Sequence, residues 1–338
     1  MLKQGKHFAY VLCALLIILT LASCASAGDG AVEGTDGTEG TAGTGTAATD
    51  QTPPLPDKIQ AFQGEVPVVK VYVKDSTAVE EMAIEKYLEG VLAGEMKNDW
   101  PLEALKAQAI LARTFTLRFM TDKESKYDGA DISTDIEEAQ AYNAADVNEN
   151  IREAIEATKG MVLVADNGGS LEYPYAWFHA HSGGKTALAK EGLDYEDAEP
   201  SYTQVVDGLD ADAAPEDAKQ WSATFSADEV MKAANKTGEL SSIEIGEKGE
   251  SGRATTVLVN GEPVPAASFR IALGSTDMRS TLLEELTLED GSVKMSGKGY
   301  GHGVGMPQWG AYGMAESGKS YEEILLYYFK DCKVGKAW

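Results

Sequence analysis

The run Ala104-Leu-Lys-Ala-Gln-Ala-Ile-Leu-Ala-Arg113 is apolar around most of a helical circumference, and no other stretch constrains the fold as strongly. A helix with one apolar stripe can lie on a surface, but one apolar nearly all round must be enclosed by other elements. The spacing therefore predicts a buried central helix from residue 100 or 101 to 120, with Pro101 in its first turn and Asp99 or Trp100 as cap. Val69, Val71 and Val73 alternate with Lys70, Tyr72 and Lys74, which predicts a strand, and helices are expected over 84–96 and 151–158. Beyond these the chain reads as hairpins: 161–181 turning at Asn167-Gly168, 257–264 at Asn260-Gly261, and 286–295 at Asp290-Gly291. Ser226-x-x-Glu229 and Ser320-x-x-Glu323 have the spacing of capping boxes that open helices. Helices and hairpins are segregated rather than alternating, so the expected class is α+β: buried helices packed with antiparallel hairpins in one domain over 66–338.

The N-terminal end reads as an export signal. Lys3 and Lys6 precede an apolar stretch over 8–22, short of the roughly 20 residues that span a bilayer comfortably, and Leu21-Ala22-Ser23-Cys24 follows. Small residues before a cysteine resemble a bacterial lipobox, with 1–23 as signal peptide and Cys24 as the lipidated residue; an ordinary signal peptide and an uncleaved anchor with a chance cysteine are the alternatives. All three place the chain outside the cytoplasm, and the lipobox places it on the outer face of the cytoplasmic membrane. Residues 24–65 are rich in Gly, Thr, Ala, Asp and Glu and read as a tether. With Cys13 in the signal and Cys24 acylated, Cys332 stands alone, which excludes an internal disulfide. The formal charge of −25 repels nucleic acid and gives no general attraction to anionic lipid.

Three segments carry candidate chemistry. In Tyr87-Leu-Glu-Gly-Val-Leu-Ala-Gly-Glu95-Met, Leu88, Val91, Leu92 and Glu95 share a helix face, and a carboxylate among apolar neighbours favours its protonated form, which a general acid needs. A core-edge Glu satisfied by an arginine is the bland alternative. Gly90 and Gly94 would admit a ligand or another backbone beside it. Arg113, a cation in the apolar run of a buried helix, requires a carboxylate, carbonyls or a ligand. Tyr175, Trp177, His179 and His181 alternate along the expected hairpin strand and lead into Ser182-Gly183-Gly184-Lys185-Thr186. This arrangement suits a sugar-binding strand and loop, and His-x-His is too small a set for a metal site. Near the end, Gly297-Lys-Gly-Tyr300-Gly-His302-Gly-Val-Gly-Met-Pro-Gln308-Trp309-Gly-Ala lets backbone run close to a ligand or a strand. It fits no dinucleotide fingerprint, and the formal Walker A string Gly313-x-x-x-x-Gly318-Lys319-Ser320 lacks a preceding strand, so no cofactor is expected.

Together these blocks resemble the stage II sporulation protein D family, which includes modifiers of amidase autolysins. The resemblance implies a peptidoglycan lytic transglycosylase acting on glycan strands stripped of stem peptides. Glu95 stands at the family's catalytic glutamate and Arg113 at an arginine linked to activity. Tyr142, His181, Ser182, Gly183, Gly184, Lys185, Tyr300, His302, Gln308 and Trp309 become the expected substrate-binding residues. A cell-wall amidase and a membrane scaffold protein are the implied partners. Some members bind zinc through Cys and His in the segment that is Asp131 to Tyr142 here; Ser133, Glu138 and Ala139 occupy those positions, so no metal is expected.

Overall fold

The computed structural model describes residues 52–338 apart from Gln63; Cys24, the leader and the stretch to residue 51 lie outside the described residues. Packing begins earlier than residue 66. Leu55 and Ile59 are buried, a 3-10 turn covers Asp57–Phe62, and the Tyr173 hydroxyl donates to the Pro53 carbonyl at 3.1 Å. Two isolated apolar residues among prolines and polar groups give no periodic signal, so this part of the expected tether could not be told from linker.

Strand β1 (Val68–Val73) pairs antiparallel with β2 (Ala78–Ala83), which runs into α1 (Ile84–Glu95) and α2 (Leu102–Asp122). Helix α2 is the enclosed rod the sequence demanded. It touches α1, α3 (Glu149–Ala157) and β4 (Met161–Asn167), and later α8 and α9. Its start differs slightly from expectation: Pro101 itself is the N-cap, with no side-chain cap. The short β3 (Ile132–Ser133) adds parallel to β1.

The hairpin expected over 161–181 is shorter than its sequence pattern. β4 pairs with β5 (Ser170–Glu172) and the strand stops there, because Pro174 has no N–H to continue the ladder. The turn uses Gly168 (φ 65°) and Gly169 (φ 95°), one residue later than expected. Residues 173–177 leave the sheet, and β6 (Phe178–His179) pairs instead, in parallel, with a strand 128 positions on. Tyr175, Trp177, His179 and His181 therefore do not share one face of a hairpin strand.

After α4 (Ala189–Leu193) and α5 (Glu216–Lys219) the chain builds a second hydrophobic core. It contains β7 (Gln220–Ser226), α6 (Ala227–Ala233), β8 (Ile243–Ile245), β9 (Thr256–Val259), β10 (Glu262–Pro265), α7 (Ala266–Leu273), β11 (Leu283–Glu289) and β12 (Ser292–Lys298). Both expected hairpins appear, β9–β10 and β11–β12, with positive φ at Asn260-Gly261 and Asp290-Gly291. The chain then returns to the first core through β13 (Met306–Pro307), α8 (Gln308–Glu316), α9 (Tyr321–Tyr328) and β14 (Cys332–Lys336), which pairs with β4. Both capping boxes are formed. The class is α+β, as the segregation of helices and hairpins required. Among the described residues no helix is long and apolar enough to cross a membrane.

Candidate active site

Glu95 is the last residue of α1; at Met96 the backbone turns extended, and the Met96 N–H closes the helix on the Leu92 carbonyl. The side chain is half-buried and its Oε1 accepts the Ala141 N–H at 2.7 Å. The glycines before it explain how that amide arrives. A Cβ at Gly90 would stand 2.2 Å from the Tyr142 ring, and one at Gly94 would stand 2.6 Å from the Ala141 carbonyl carbon. The two glycines thus admit the loop 139–143 against the helix face, the Tyr142 ring at Gly90 and backbone at Gly94, and the Asn143 N–H donates to the Gly90 carbonyl at 2.8 Å. Tyr142 lies over Tyr87, ring centroids 5.9 Å apart.

The glycine-rich block meets α1 at the same place. Gln308 Nε2 donates to the Glu95 carbonyl at 3.1 Å, so the start of α8 abuts the end of α1. Trp309 donates its N–H to the Ala180 carbonyl at 3.0 Å, and Pro307 pairs with His179, which sets the His181–Lys185 loop beside the block. Trp309 packs on Trp100 (4.5 Å) and Tyr312 (5.3 Å), with the Lys97 ammonium 5.9 Å from its ring. Trp100 and Trp309 are buried, while Gln308 and Tyr312 are half-buried.

Arg113 is placed elsewhere. Its guanidinium is completely buried and grips Glu85 with two hydrogen bonds, Nη2 to Oε2 at 2.5 Å and Nε to Oε1 at 3.2 Å; Nη1 donates to the Met161 carbonyl at 2.9 Å. Gly160 N–H and Trp338 Nε1 also donate to Glu85. Glu85 opens α1 and Glu95 closes it, about 15 Å apart along the axis at 1.5 Å per residue. The structure does not bring Arg113 to Glu95; it makes Arg113 the counter-ion of the other end of the helix.

The chain is similar to known proteins over most of its length. The family model described as "Stage II sporulation protein" matches residues 72–164. The chain is 30% identical over 293 residues to "Stage II sporulation protein D" of Bacillus amyloliquefaciens, covering 81% of this chain and 80% of that protein. The chain belongs to the stage II sporulation protein D family. It is also 34% identical over 259 residues to an uncharacterized protein of Brachyspira hyodysenteriae, covering 74% of this chain and 66% of that protein. A third relative, the "Amidase enhancer" of Bacillus subtilis, is 27% identical over 290 residues, 72% of this chain and 39% of that protein.

The family's His-Ser-Gly-Gly-Lys block is held more rigidly than an open loop. His181 and Tyr300 exchange two backbone hydrogen bonds, at 3.0 and 2.8 Å. The Ser182 amide donates to Asp210 at 3.1 and 3.2 Å and its hydroxyl also donates to that carboxylate; Gly183 N–H donates to His181 Nδ1, and Gly184 N–H to Ser182 Oγ. Arg253, fully buried, donates to the carbonyls of Ser182 (2.5 Å) and Lys185 (2.9 Å), and a Cβ at Gly303 would strike its guanidinium at 2.4 Å. Burial pushes Arg253 down to about 10, opposed by Glu191 and Asp210. Lys185 is exposed, whereas His181, Ser182, Tyr300 and His302 are buried.

Neither His179 nor His302 is open to ligand. Burial, then Arg270 and Arg253, push His302 down to about 3, and burial with His302 and Arg253 nearby takes His179 well below the ordinary imidazole range. His181 is lowered by burial, with Asp210 opposing. Among the described residues no group of three His, Cys, Asp or Glu side chains is placed to hold a metal ion. In the 131–142 segment Ser133 Oγ accepts the Asp135 N–H, Glu138 accepts from Ser125 and the Lys126 amide, and Ala139 is buried. Asp210 and Glu85 escaped the sequence reading. Their partners lie 28 residues away in chain, and each sits in an acidic or helical stretch with no distinguishing pattern.

Proposed function

We propose that this protein is a cell-wall enzyme that cleaves the β-1,4 bond between N-acetylmuramic acid and N-acetylglucosamine in peptide-free glycan strands. The observation that carries the reading is Glu95: a half-buried carboxylate held by a backbone amide where α1, the 139–143 loop and the glycine-rich block converge. Glu95 protonates the glycosidic oxygen as the C1–O4 bond breaks. The carboxylate then takes the proton of the muramic acid 6-hydroxyl, whose oxygen closes on C1 as a 1,6-anhydro ring. No water is consumed, so no second carboxylate is required, in contrast to glycoside hydrolases. The other acids of α1 are engaged, Glu85 with Arg113 and Glu89 with Lys86, which fits a single-carboxylate mechanism. Exposed Lys185 and half-buried Gln308 and Tyr142 supply polar contacts for the sugar. The chain acts from the outer face of the cytoplasmic membrane, anchored by lipid on Cys24, in cell-wall remodelling of the kind that sporulation needs. A membrane scaffold protein recruits it there.

A second reading rests on the relative named amidase enhancer: a glycan-binding protein that stimulates a cell-wall amidase without cutting. Mass spectrometry of peptide-free strands incubated with wild type and Glu95→Gln separates the two. Anhydro ends from wild type, reduced at least ~10²-fold in the variant, are expected of a general acid. Reducing ends would make the enzyme a hydrolase, and intact strands with retained binding would leave the amidase-stimulating role.

A further inference from the structure

The second core ends in a three-stranded sheet of order β11-β12-β7, so β11 and β7 are its edges. The two edges are built differently. β11 carries a bulge between Leu283 and Glu285 and the charges of Glu284, Glu285 and Glu289, devices that keep another strand from adding. β7, Gln-Trp-Ser-Ala-Thr-Phe-Ser, has no charge, no proline and no bulge against β12.

The register shows which backbone groups β7 leaves open. Gly299 N–H donates to the Lys219 carbonyl at 2.8 Å and Ala227 N–H to the Gly291 carbonyl at 3.0 Å, so the odd-numbered residues of this strand face β12. Antiparallel pairs alternate, hence Trp221, Ala223 and Phe225 bond to β12 while Gln220, Ser222 and Thr224 direct N–H and C=O away from it. The Gln220 N–H is used by the Glu216 carbonyl and the Ser226 N–H by Glu229. The amides of Ser222 and Thr224 and the carbonyls of residues 220, 222 and 224 face a mostly polar groove of about 610 Å³ along the strand edge, lined also by Thr276 and Asp277. Its acids are Asp217, Glu229 and Asp277. Its basic residue, Arg279, is turned back onto Asp217, donating to the Asp217 carbonyl and lying 3.5 Å from the carboxylate.

We propose that the β7 edge is a docking site where an extended, basic segment of a partner protein adds as a fourth strand, its backbone pairing with Ser222 and Thr224 and its Lys or Arg side chains meeting Asp217 and Asp277. Strand addition of this kind draws affinity from main-chain hydrogen bonds and specificity from alternate side chains. Charge selects the occupant. The chain's own residues 25–51 contain Asp29, Glu33, Asp36, Glu39 and Asp50 and no Lys or Arg, and a second copy paired edge to edge would set the same acids against each other. The site is independent of whether Glu95 cuts glycan.

The test is residue-resolved hydrogen exchange on the full-length protein with two synthetic probes, Lys-Val-Thr-Lys-Val-Thr-Lys and the same peptide with Glu in place of Lys. In the free protein the Ser222 and Thr224 amides should exchange at least tenfold faster than those of Trp221, Ala223 and Phe225. Millimolar lysine peptide should slow them at least tenfold, and the glutamate peptide should not. Thr224→Pro deletes an outward N–H that β12 does not use, so it should abolish the protection. Asp277→Lys, on an exposed loop, should weaken lysine-peptide binding at least fivefold, which keeps the test alive should the proline variant fail to fold. Slow Ser222 and Thr224 amides in the free protein, no protection by the lysine peptide, or equal protection by both peptides would each overturn the proposal.

Discussion

Replacing Gly94 by alanine sets two effects of opposite sign against each other at the Glu95 site. In an isolated helix the change would add about 1 kcal/mol, the propensity advantage of alanine. Here the new Cβ would stand 2.6 Å from both the Ala141 carbonyl carbon and the Tyr142 nitrogen, and 2.8 Å from the Ala141 oxygen. Carbon atoms in contact sit roughly 3.5–4.0 Å apart, so the loop must withdraw by about 1 Å, and backbone cannot rotate aside as a side chain can. The Ala141 N–H bond to Glu95 is 2.7 Å long, and such a withdrawal takes it out of the roughly 2.7–3.2 Å range in which the bond holds. Overpacking costs about 1–3 kcal/mol and a lost hydrogen bond about 0.5–1.5 kcal/mol. Clash and lost bond together outweigh the propensity gain, leaving a net loss of roughly 1–3 kcal/mol. Cleavage should fall on the order of 10²-fold, the usual consequence of displacing a catalytic group by about 1 Å. Gly90→Ala is the comparison: its Cβ meets the Tyr142 ring, which can swing away, so the cost should be smaller and Glu95 less disturbed. Urea unfolding gives the stabilities and release of anhydro ends gives the activity. Gly94→Ala as stable as wild type with undiminished cleavage would refute the claim that this glycine seats the loop that holds Glu95.

Arg113→Met should destabilise by about 3–5 kcal/mol, because it strands the Glu85 carboxylate beside the core; where the variant is folded its cleavage rate should stay within a few-fold, and a large loss of rate at full stability would return Arg113 to the reaction. Stability should fall in mild acid: His302 and His179 bind protons in the unfolded chain below about pH 6.5 but are held neutral when folded, so stability is full above that value. The His302 share is then lost by about 1.4 kcal/mol per pH unit as pH falls toward 3, His179 adds a loss of the same sign, and equal urea midpoints at pH 7 and pH 5 would contradict this. Cys24→Ala should release the protein into the soluble extracytoplasmic fraction or leave uncleaved precursor; a lipid-sized mass still on its N-terminal peptide would exclude Cys24 as the anchor.

What the sequence made legible was local. The enclosed α2, the β9–β10 and β11–β12 hairpins and both capping boxes each rest on residues within one short window, where periodicity or turn chemistry decides the conformation. The β4 hairpin shows the limit of that reading. Alternating aromatics and histidines continue past Glu172, yet Pro174 removes one ladder donor and the chain leaves the sheet. The same residues then find a partner far along the chain, in β13, and two-residue parallel pairing has no signature in either segment.

The site divides along the same line. Glu95 could be singled out because its place on the Leu88, Val91, Leu92 face follows from helix geometry alone, and the two glycines beside it announced a close approach without saying of what. The approach proves to be the 139–143 loop, which makes the glycines part of how the carboxylate is held. Arg113 was equally visible as a buried cation, but its partner was not. Glu85 lies away from the α1 apolar stripe and meets Arg113 28 residues on in the chain, with Trp338, just past β14, donating to the same carboxylate. Arg113 acts at a distance from Glu95: by fixing the start of α1 it fixes the helix whose last residue is Glu95. On that account the Arg113–Glu85 pair is a positioning element, and its loss should register in stability first and in catalysis only as far as α1 shifts.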